Sequence, residues 1–243
     1  MYNIKIWDLG EVVEVQKYHH GNYGAPGKKR TPKKKPTPEE VKKVNEHHRA
    51  RKVWRLILAN FKKGDWHLIL RYKDKPDPVE AKKHLRDFLR DMRTAYKKAG
   101  IPFKYIAVTE IGKKGGVHHH LVIEDHPITR EAVKQCWKSG STFWADLYES
   151  EDNYQTLAEY LVKKQTKEDV PGCSYSTSRN LIVPKPRVVK RRARGWREEP
   201  KPRKGWYVIK DSIVNGINPV TGTPYQRYLM KRITKERGDP GGG

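Results

Sequence analysis

A run of three histidines is the group of residues best suited to chemistry. The letters HHHLVIED begin at His118, and their apolar centre predicts a β-strand over residues 117–124. Side chains of a strand alternate between its two faces, so His118 and His120 share one face, about 6–7 Å apart along the strand. Two imidazoles at this spacing suit two ligands of one metal ion. His119 then points to the opposite face, where we expect it to have a structural role.

A carboxylate on the preceding strand is the candidate third ligand. The sequence predicts that strand over residues 103–111, joined to the histidine strand by the turn GKKGG as a β-hairpin. If Glu110 lies opposite His118, then Val108 lies opposite His120, and the carboxylate sits beside both imidazoles. Mg²⁺ or Mn²⁺ would suit a site that also takes phosphate oxygens, although the ligand types alone leave zinc open.

A tyrosine between lysines is the candidate nucleophile. In the helix predicted over about residues 151–167, Lys163 lies about 60° around the helix from Tyr160, and Lys164 about 40°. A phenol has a pKa near 10 and is a poor nucleophile at neutral pH, but nearby cations favour the phenolate. The alternative is an ordinary surface tyrosine in a lysine-rich helix. Tyr154 falls with the apolar residues of this helix, and we place it in the core.

The composition limits the class of partner. The 243 residues include 52 Lys and Arg against 28 Asp and Glu, giving a formal net charge of +24. Such an excess predicts a polyanionic partner, and nucleic acid is the commonest one. A membrane is disfavoured, because no stretch approaches the roughly 18 apolar residues of a membrane helix. Cys136 and Cys173 are too far apart for a CxxC motif, and no phosphate-binding loop is present.

The elements around these residues predict an α+β fold. Thr37 and Asp77 are N-cap signals for two helices, each followed by proline, and Gly64 and Gly100 end them. From residue 66 the predicted order is strand, helix, strand, strand, helix, strand, helix. Antiparallel neighbours joined by helical crossovers favour a split-βαβ core, with a central antiparallel sheet flanked by helices.

We predict three segments along the chain: an N-terminal extension with a basic loop and a helix (1–64), a catalytic domain (65–183), and a basic arm with a tail (184–243). The arm has ten Lys or Arg residues between Lys185 and Lys204. We interpret the arm as a segment that contacts phosphates. A solvated charge run has a similar composition, but the interleaved Trp196 and Trp206 favour nucleic acid, because tryptophans can stack on unpaired bases. The candidate DNA-binding residues are Lys164, Lys190, Arg191, Arg192, Arg194 and Trp196.

Taken together, these motifs resemble those of one enzyme family. The arrangement E-x7-HxH, followed some forty residues later by YLVK, resembles the HUH endonucleases, which include the replication initiators of rolling-circle plasmids and of single-stranded DNA phages and viruses. The phrases YIAVTEIGKKGGVHHHLVIED and CSYSTSRNLIVP are similar to Rep proteins related to the filamentous-phage gene II replication protein. The resemblance covers about residues 66–185.

The resemblance implies a fold and a mechanism. It implies an HUH, ferredoxin-like core in which a metal ion on Glu110, His118 and His120 polarises the scissile phosphate of single-stranded origin DNA. Tyr160 would attack as the single catalytic tyrosine, with Lys163 stabilising the developing charge, leaving a 5′-phosphotyrosine link and a free 3′-OH. Such an initiator would act in the cytoplasm of a bacterial host, with a host helicase and polymerase.

Two alternatives remain open at this stage. A transposase or relaxase of a mobile element would use the same chemistry on a different DNA site. A non-catalytic basic protein that binds DNA or RNA would bind nucleic acid without forming a covalent adduct.

Overall fold

The computed structural model describes residues 1–19, 35, 37–112, 115–147, 154–163, 175–218 and 222–233. The elements in chain order are β1 (Tyr2–Asp8), β2 (Val12–Tyr18), α1 (Pro38–Asn60), β3 (Trp66–Arg71), α2 (Pro78–Lys98), β4 (Tyr105–Ile111), β5 (Val117–Ile123), α3 (Thr129–Cys136), β6 (Thr142–Asp146), α4 (Gln155–Lys163), β7 (Ser176–Thr177), β8 (Arg187–Arg191), β9 (Trp206–Ile217) and β10 (Pro224–Arg232). The chain divides into two compact units, one of Met1–Val41 with Pro184–Gly243 and one of Lys42–Val183. Among the described residues, no helix is long and apolar enough to cross a membrane.

The unit formed by residues 42–183 has the predicted α+β architecture. Its five-stranded sheet has the order β6-β3-β5-β4-β7, and every pair of neighbours is antiparallel. Residues of α2 and α3 join one side of the sheet in a hydrophobic core that includes Leu68, Leu121, Phe88, Met92 and Val133. The fold class is therefore confirmed, and the element order from β3 to α4 follows the sequence prediction.

Helices α1 and α2 begin where the sequence signals place them. At α1 the Thr37 hydroxyl accepts from the Glu40 backbone N–H at 3.2 Å, and the Glu40 carboxylate accepts from the Thr37 N–H at 2.8 Å. This reciprocal pair is the predicted capping box. At α2 the Asp77 carboxylate accepts from the N–H groups of Val79 and Glu80 at 2.7 and 2.9 Å. Gly100 follows α2 in the left-handed region, with φ of 71°.

The unit that contains both ends of the chain is a second antiparallel sheet, with the order β8-β1-β2-β10-β9. Its apolar core includes Val13, Val15, Trp206, Tyr228 and Met230. The sequence analysis described the segments that form this sheet as an N-terminal extension, a basic arm and a tail. The basic side chains of β8 are exposed, while its backbone pairs with β1. The run of charged residues therefore belongs to an edge strand of the sheet.

Candidate active site

The β4–β5 hairpin has the register that the sequence analysis assumed. Glu110 pairs with His118, and Val108 pairs with His120. The turn is closed by a hydrogen bond from the Gly112 N–H to the Gly116 carbonyl at 2.8 Å. Gly115 has φ of +78°, a conformation that side chains rarely adopt, so the turn needs glycine there. The carboxylate and both imidazoles therefore lie on one face of the sheet, which we call the site face.

His120 is held by two partners on the site face. Its Nε2 lies 2.9 Å from Glu110 Oε2, and its Nδ1 lies 3.2 Å from His67 Nε2. The His67 and His120 rings stack with their centroids 5.4 Å apart. Because His120 is 3% exposed, both contacts are made away from bulk water. The orientation of this imidazole is therefore determined at both ring nitrogens.

The sequence analysis did not identify His67. It lies on β3 opposite Val122, and its side chain is on the site face because alternate residues of β3 share that face. Burial, and then the neighbouring His120, lower the pKa of His67 to about 4. The ring is therefore neutral at neutral pH and can donate or accept a hydrogen bond. Pairing the predicted β3 with β5 would have found this histidine.

His118 lies at the turn end of the same face and is half-buried. Its Cε1 is so close to the turn that a Cβ added to Gly112 would lie 3.4 Å from it. Across the ladder, His118 is flanked by Glu110 on β4 and by Arg71 on β3. The glycine turn therefore leaves room for this imidazole beside the carboxylate.

The residues of the site can be compared with the needs of a divalent ion. In the described part of the chain, no three or more His, Cys, Asp or Glu side chains form an arrangement that could hold a metal ion as they stand. The donor types, two imidazoles and one carboxylate, nevertheless suit a divalent metal. Two ligands about 2.1 Å from an ion and at right angles to each other are about 3.0 Å apart. The 2.9 Å between His120 Nε2 and Glu110 Oε2 fits such a pair.

Tyr160 lies against the same imidazole. Its ring centroid is 5.4 Å from that of His120, with the planes at 79°, and the side chain is 37% exposed. Tyr154, just before α4, is buried, as predicted, and has a positive φ of 66°. Lys163 is the last residue of α4, but its side chain lies outside the described residues, as does Lys164. The structure thus brings together Tyr160, His120, His67 and Glu110.

The opposite face of the sheet holds the middle histidine. His119 is fully buried, with Nε2 2.8 Å from the Tyr72 hydroxyl and Nδ1 2.9 Å from the Thr109 hydroxyl. Burial is the main cause that lowers the pKa of His119 to about 3, with smaller contributions from neighbouring histidines. The prediction that His119 points away from the other two is confirmed.

A comparison with known protein families matches the part of the chain that carries the candidate site. Residues 65–169 match the family model of the replication-associated proteins of the ORF2 and gene II protein type. The match is consistent with a Rep or gene II-type rolling-circle replication protein, and it confirms the resemblance of this part of the chain to Rep proteins of the gene II type. A search of curated proteins and a search of solved structures gave no match.

The family match covers the candidate site but not the candidate DNA-binding residues of the arm. Lys190 and Arg191 lie on β8, and these two residues, Arg192 and Arg194 are all exposed. Trp196 is half-buried, stacked on His19 with centroids 5.1 Å apart and edge-on to Tyr2 at 5.0 Å. Trp196 thus packs within its own unit, a contact that the sequence analysis did not foresee.

Proposed function

We propose that this protein initiates rolling-circle replication by nicking single-stranded origin DNA, with Tyr160 as the nucleophile. The observation that carries the proposal is the contact between the Tyr160 ring and His120, whose Nε2 meets the Glu110 carboxylate. A phenol ring, an imidazole and a carboxylate therefore lie side by side. The replication-associated family match over the same residues supports this chemistry.

The proposed reaction is a phosphoryl transfer without hydrolysis. The Tyr160 phenol loses its proton and its oxygen bonds to phosphorus, while the bond from phosphorus to the 3′ oxygen breaks and that oxygen takes up a proton. Mg²⁺ or Mn²⁺ held by Glu110, His118 and His120 would polarise the phosphate and stabilise its developing charge. The products are a 5′-phosphotyrosine and a free 3′-OH for a polymerase. Lys163, on the same helix, is the candidate second cation.

His67 has a positioning role in this proposal. For His120 to offer the Nε2 lone pair to a metal, its proton must be on Nδ1. Neutral His67 can accept that proton in a hydrogen bond across the 3.2 Å contact. Partners of this kind fix the tautomer and orientation of a ligating histidine.

Binding to DNA would account for the large positive net charge of the chain. The exposed Lys190, Arg191, Arg192 and Arg194 would contact phosphates. As in the initiators that the sequence resembles, a host helicase would open the duplex and a host polymerase would extend the 3′-OH, in the bacterial cytoplasm.

A covalent-trapping assay tests the proposal. The protein and its Tyr160→Phe variant are incubated with Mn²⁺ and a random single-stranded DNA library rich enough to include the origin sequence. We expect a protein–DNA adduct on denaturing gels from the parent and none from Tyr160→Phe, because the variant lacks the attacking oxygen. Tyr207→Phe is the matched control, since Tyr207 is also an exposed tyrosine and lies outside the site.

Each outcome of the assay has a definite meaning. An adduct from both the parent and Tyr160→Phe would move the nucleophile to another tyrosine, with Tyr154 tested first. Tight binding without any adduct would overturn the proposal in favour of a DNA-binding protein without catalytic activity. Sequencing of trapped DNA would tell an origin from the end of a mobile element, and so separate an initiator from a transposase or relaxase.

A further inference from the structure

Beside the candidate site, the site face carries an exposed arginine next to an exposed aromatic ring. Arg71 lies opposite His118 on the side away from Glu110. Its guanidinium carbon is 5.5 Å from the centre of the Phe143 ring, within the range of a cation–π contact. Phe143 is on the edge strand β6 and is 48% exposed. The ring therefore leaves about half of its surface in contact with solvent, where a ligand can reach it.

The backbone beneath this pair is well held. The Arg71 N–H donates to the Ser141 carbonyl at 2.8 Å, and the Arg71 carbonyl accepts from the Trp137 indole at 3.2 Å. A Cβ on Gly140 would collide with the Arg71 carbonyl oxygen, so a glycine lets the chain approach β3 this closely. Arg71 and Phe143 thus stand on strands whose spacing is fixed, which suits a binding site better than a loop.

The side chains around Arg71 and Phe143 favour a ligand that carries both a negative charge and an aromatic ring. The side chains that β3 and β6 place on the site face are His67, Ile69, Arg71, Phe143 and Ala145, and none of these five is acidic. Neighbouring strands are about 4.8 Å apart, so Phe143 on β6 lies about 10 Å from the strand of His120. Two or three nucleotides span roughly that distance along a strand.

We propose that Arg71 and Phe143 form a binding subsite for one nucleotide of the single-stranded substrate, two or three nucleotides from the phosphate that is cut. The guanidinium binds a phosphate and the Phe143 ring stacks under the base. Because any base has a face to stack, the subsite holds the strand in place without selecting a sequence. This inference rests on the proposed function, which supplies the strand and the position of the scissile phosphate.

The test uses the full chain carrying Tyr160→Phe, so that binding is measured without covalent reaction. The probe is a fluorescein-labelled single-stranded 15-mer of mixed sequence, titrated at about 200 mM salt, where non-specific phosphate contacts are weakened. Phe143→Leu should lower affinity about tenfold, and Phe143→Trp should restore it, since stacking needs a π-face. Arg71→Ala should reduce the slope of log affinity against log salt by about 0.7, the value for one phosphate of a single strand.

Matched controls and a local probe separate the subsite from other basic surfaces. Tyr207→Leu removes an exposed aromatic ring and Arg86→Ala removes an exposed cation elsewhere, and both should bind like the parent. A second oligonucleotide with 5-iododeoxyuridine is photo-crosslinked, and peptide mass spectrometry should find the link at Phe143. Equal affinity of Phe143→Leu and Tyr207→Leu, or links only at Trp144 on the opposite face of β6, would overturn the subsite.

These results are independent of the nicking reaction. If the parent formed no adduct but Phe143 still crosslinked to DNA, the proposed function would fail and the subsite would stand. If the parent formed an adduct while Arg71→Ala and Phe143→Leu bound normally, the nickase would stand and the subsite would fail.

Discussion

His119 and His120 are neighbours in one strand, yet their environments differ in every respect that matters for chemistry. His119 is enclosed between two hydroxyls, from Tyr72 and Thr109, on the face that packs against α2 and α3. His120 meets a carboxylate and a second imidazole, with a half-exposed tyrosine over its ring. The same side chain is thus a core residue at one position and a candidate ligand at the next. The partners across the ladder make the difference, because adjacent residues of a strand face opposite layers.

The largest effect is expected when the site histidine or its carboxylate partner is removed. Glu110→Ala and His120→Ala should each lower the rate of Mn²⁺-dependent adduct formation by about a hundredfold or more, because charge stabilisation by a bound metal amounts to several kcal/mol. DNA affinity should change little, since most of the basic surface is intact. Single-turnover trapping on the DNA selected above measures the rate, and a rate equal to that of the parent would remove both residues from the metal site.

The complementary change is made on the other face. His119→Leu leaves the half-buried Thr109 and Tyr72 hydroxyls without their imidazole partner, so the free energy of unfolding should fall by about 1–3 kcal/mol. Urea denaturation measures the loss. The adduct rate per folded molecule should stay at the parental value, and a loss of rate without a loss of stability would contradict the structural role of His119.

The smallest effect is expected when the contact between His67 and His120 is removed. His67→Leu should weaken Mn²⁺ binding by about 10- to 100-fold, because His120 loses the partner that orients its ring. His67→Gln keeps a side chain that can donate and accept, and it should recover much of the affinity. Calorimetry with Mn²⁺ gives the affinity, and ¹⁵N shifts of His120 report its tautomer.

Equal Mn²⁺ affinity in the parent and in His67→Leu, with an unchanged His120 tautomer, would make His67 a packing residue only. The His119→Leu protein is the control here as well, since its substitution lies on the opposite face and should leave Mn²⁺ affinity unchanged.

The N-terminal and C-terminal segments show why a charge run is hard to interpret from sequence. Residues 184–243 include three strands that pair with β1, β2 or each other, so their removal would take away β8, β9 and β10 from a five-stranded sheet. Single substitutions of Lys190 or Arg191 on β8 are therefore better tests of phosphate contacts than truncation. Trp196 is a poor choice for such tests, because its change would also remove the packing on His19.

Local sequence patterns account for most of the helices and strands around the candidate site. Periodicity, capping residues and glycine turns predicted the elements from β3 to α4, because these signals act within a few residues along the chain. Strand alternation separated His119 from His118 and His120. The apolar pattern separated buried Tyr154 from exposed Tyr160, although Tyr154 lies just before the helix and not within it. The hairpin register followed as well, since a short turn leaves few ways to pair β4 with β5.

The contacts between residues far apart in the sequence depend on how the elements pack. His67 reaches His120 because β3 pairs with β5 across 53 residues of sequence, and Tyr160 reaches it because α4 lies over the site face. Arg71 and Phe143 meet through the pairing of β3 with the edge strand β6. Likewise, β8 pairs with β1 although most of the chain separates them. Such long-range pairings depend on how whole elements bury their apolar faces together, and the spacing of residues within one segment does not encode them.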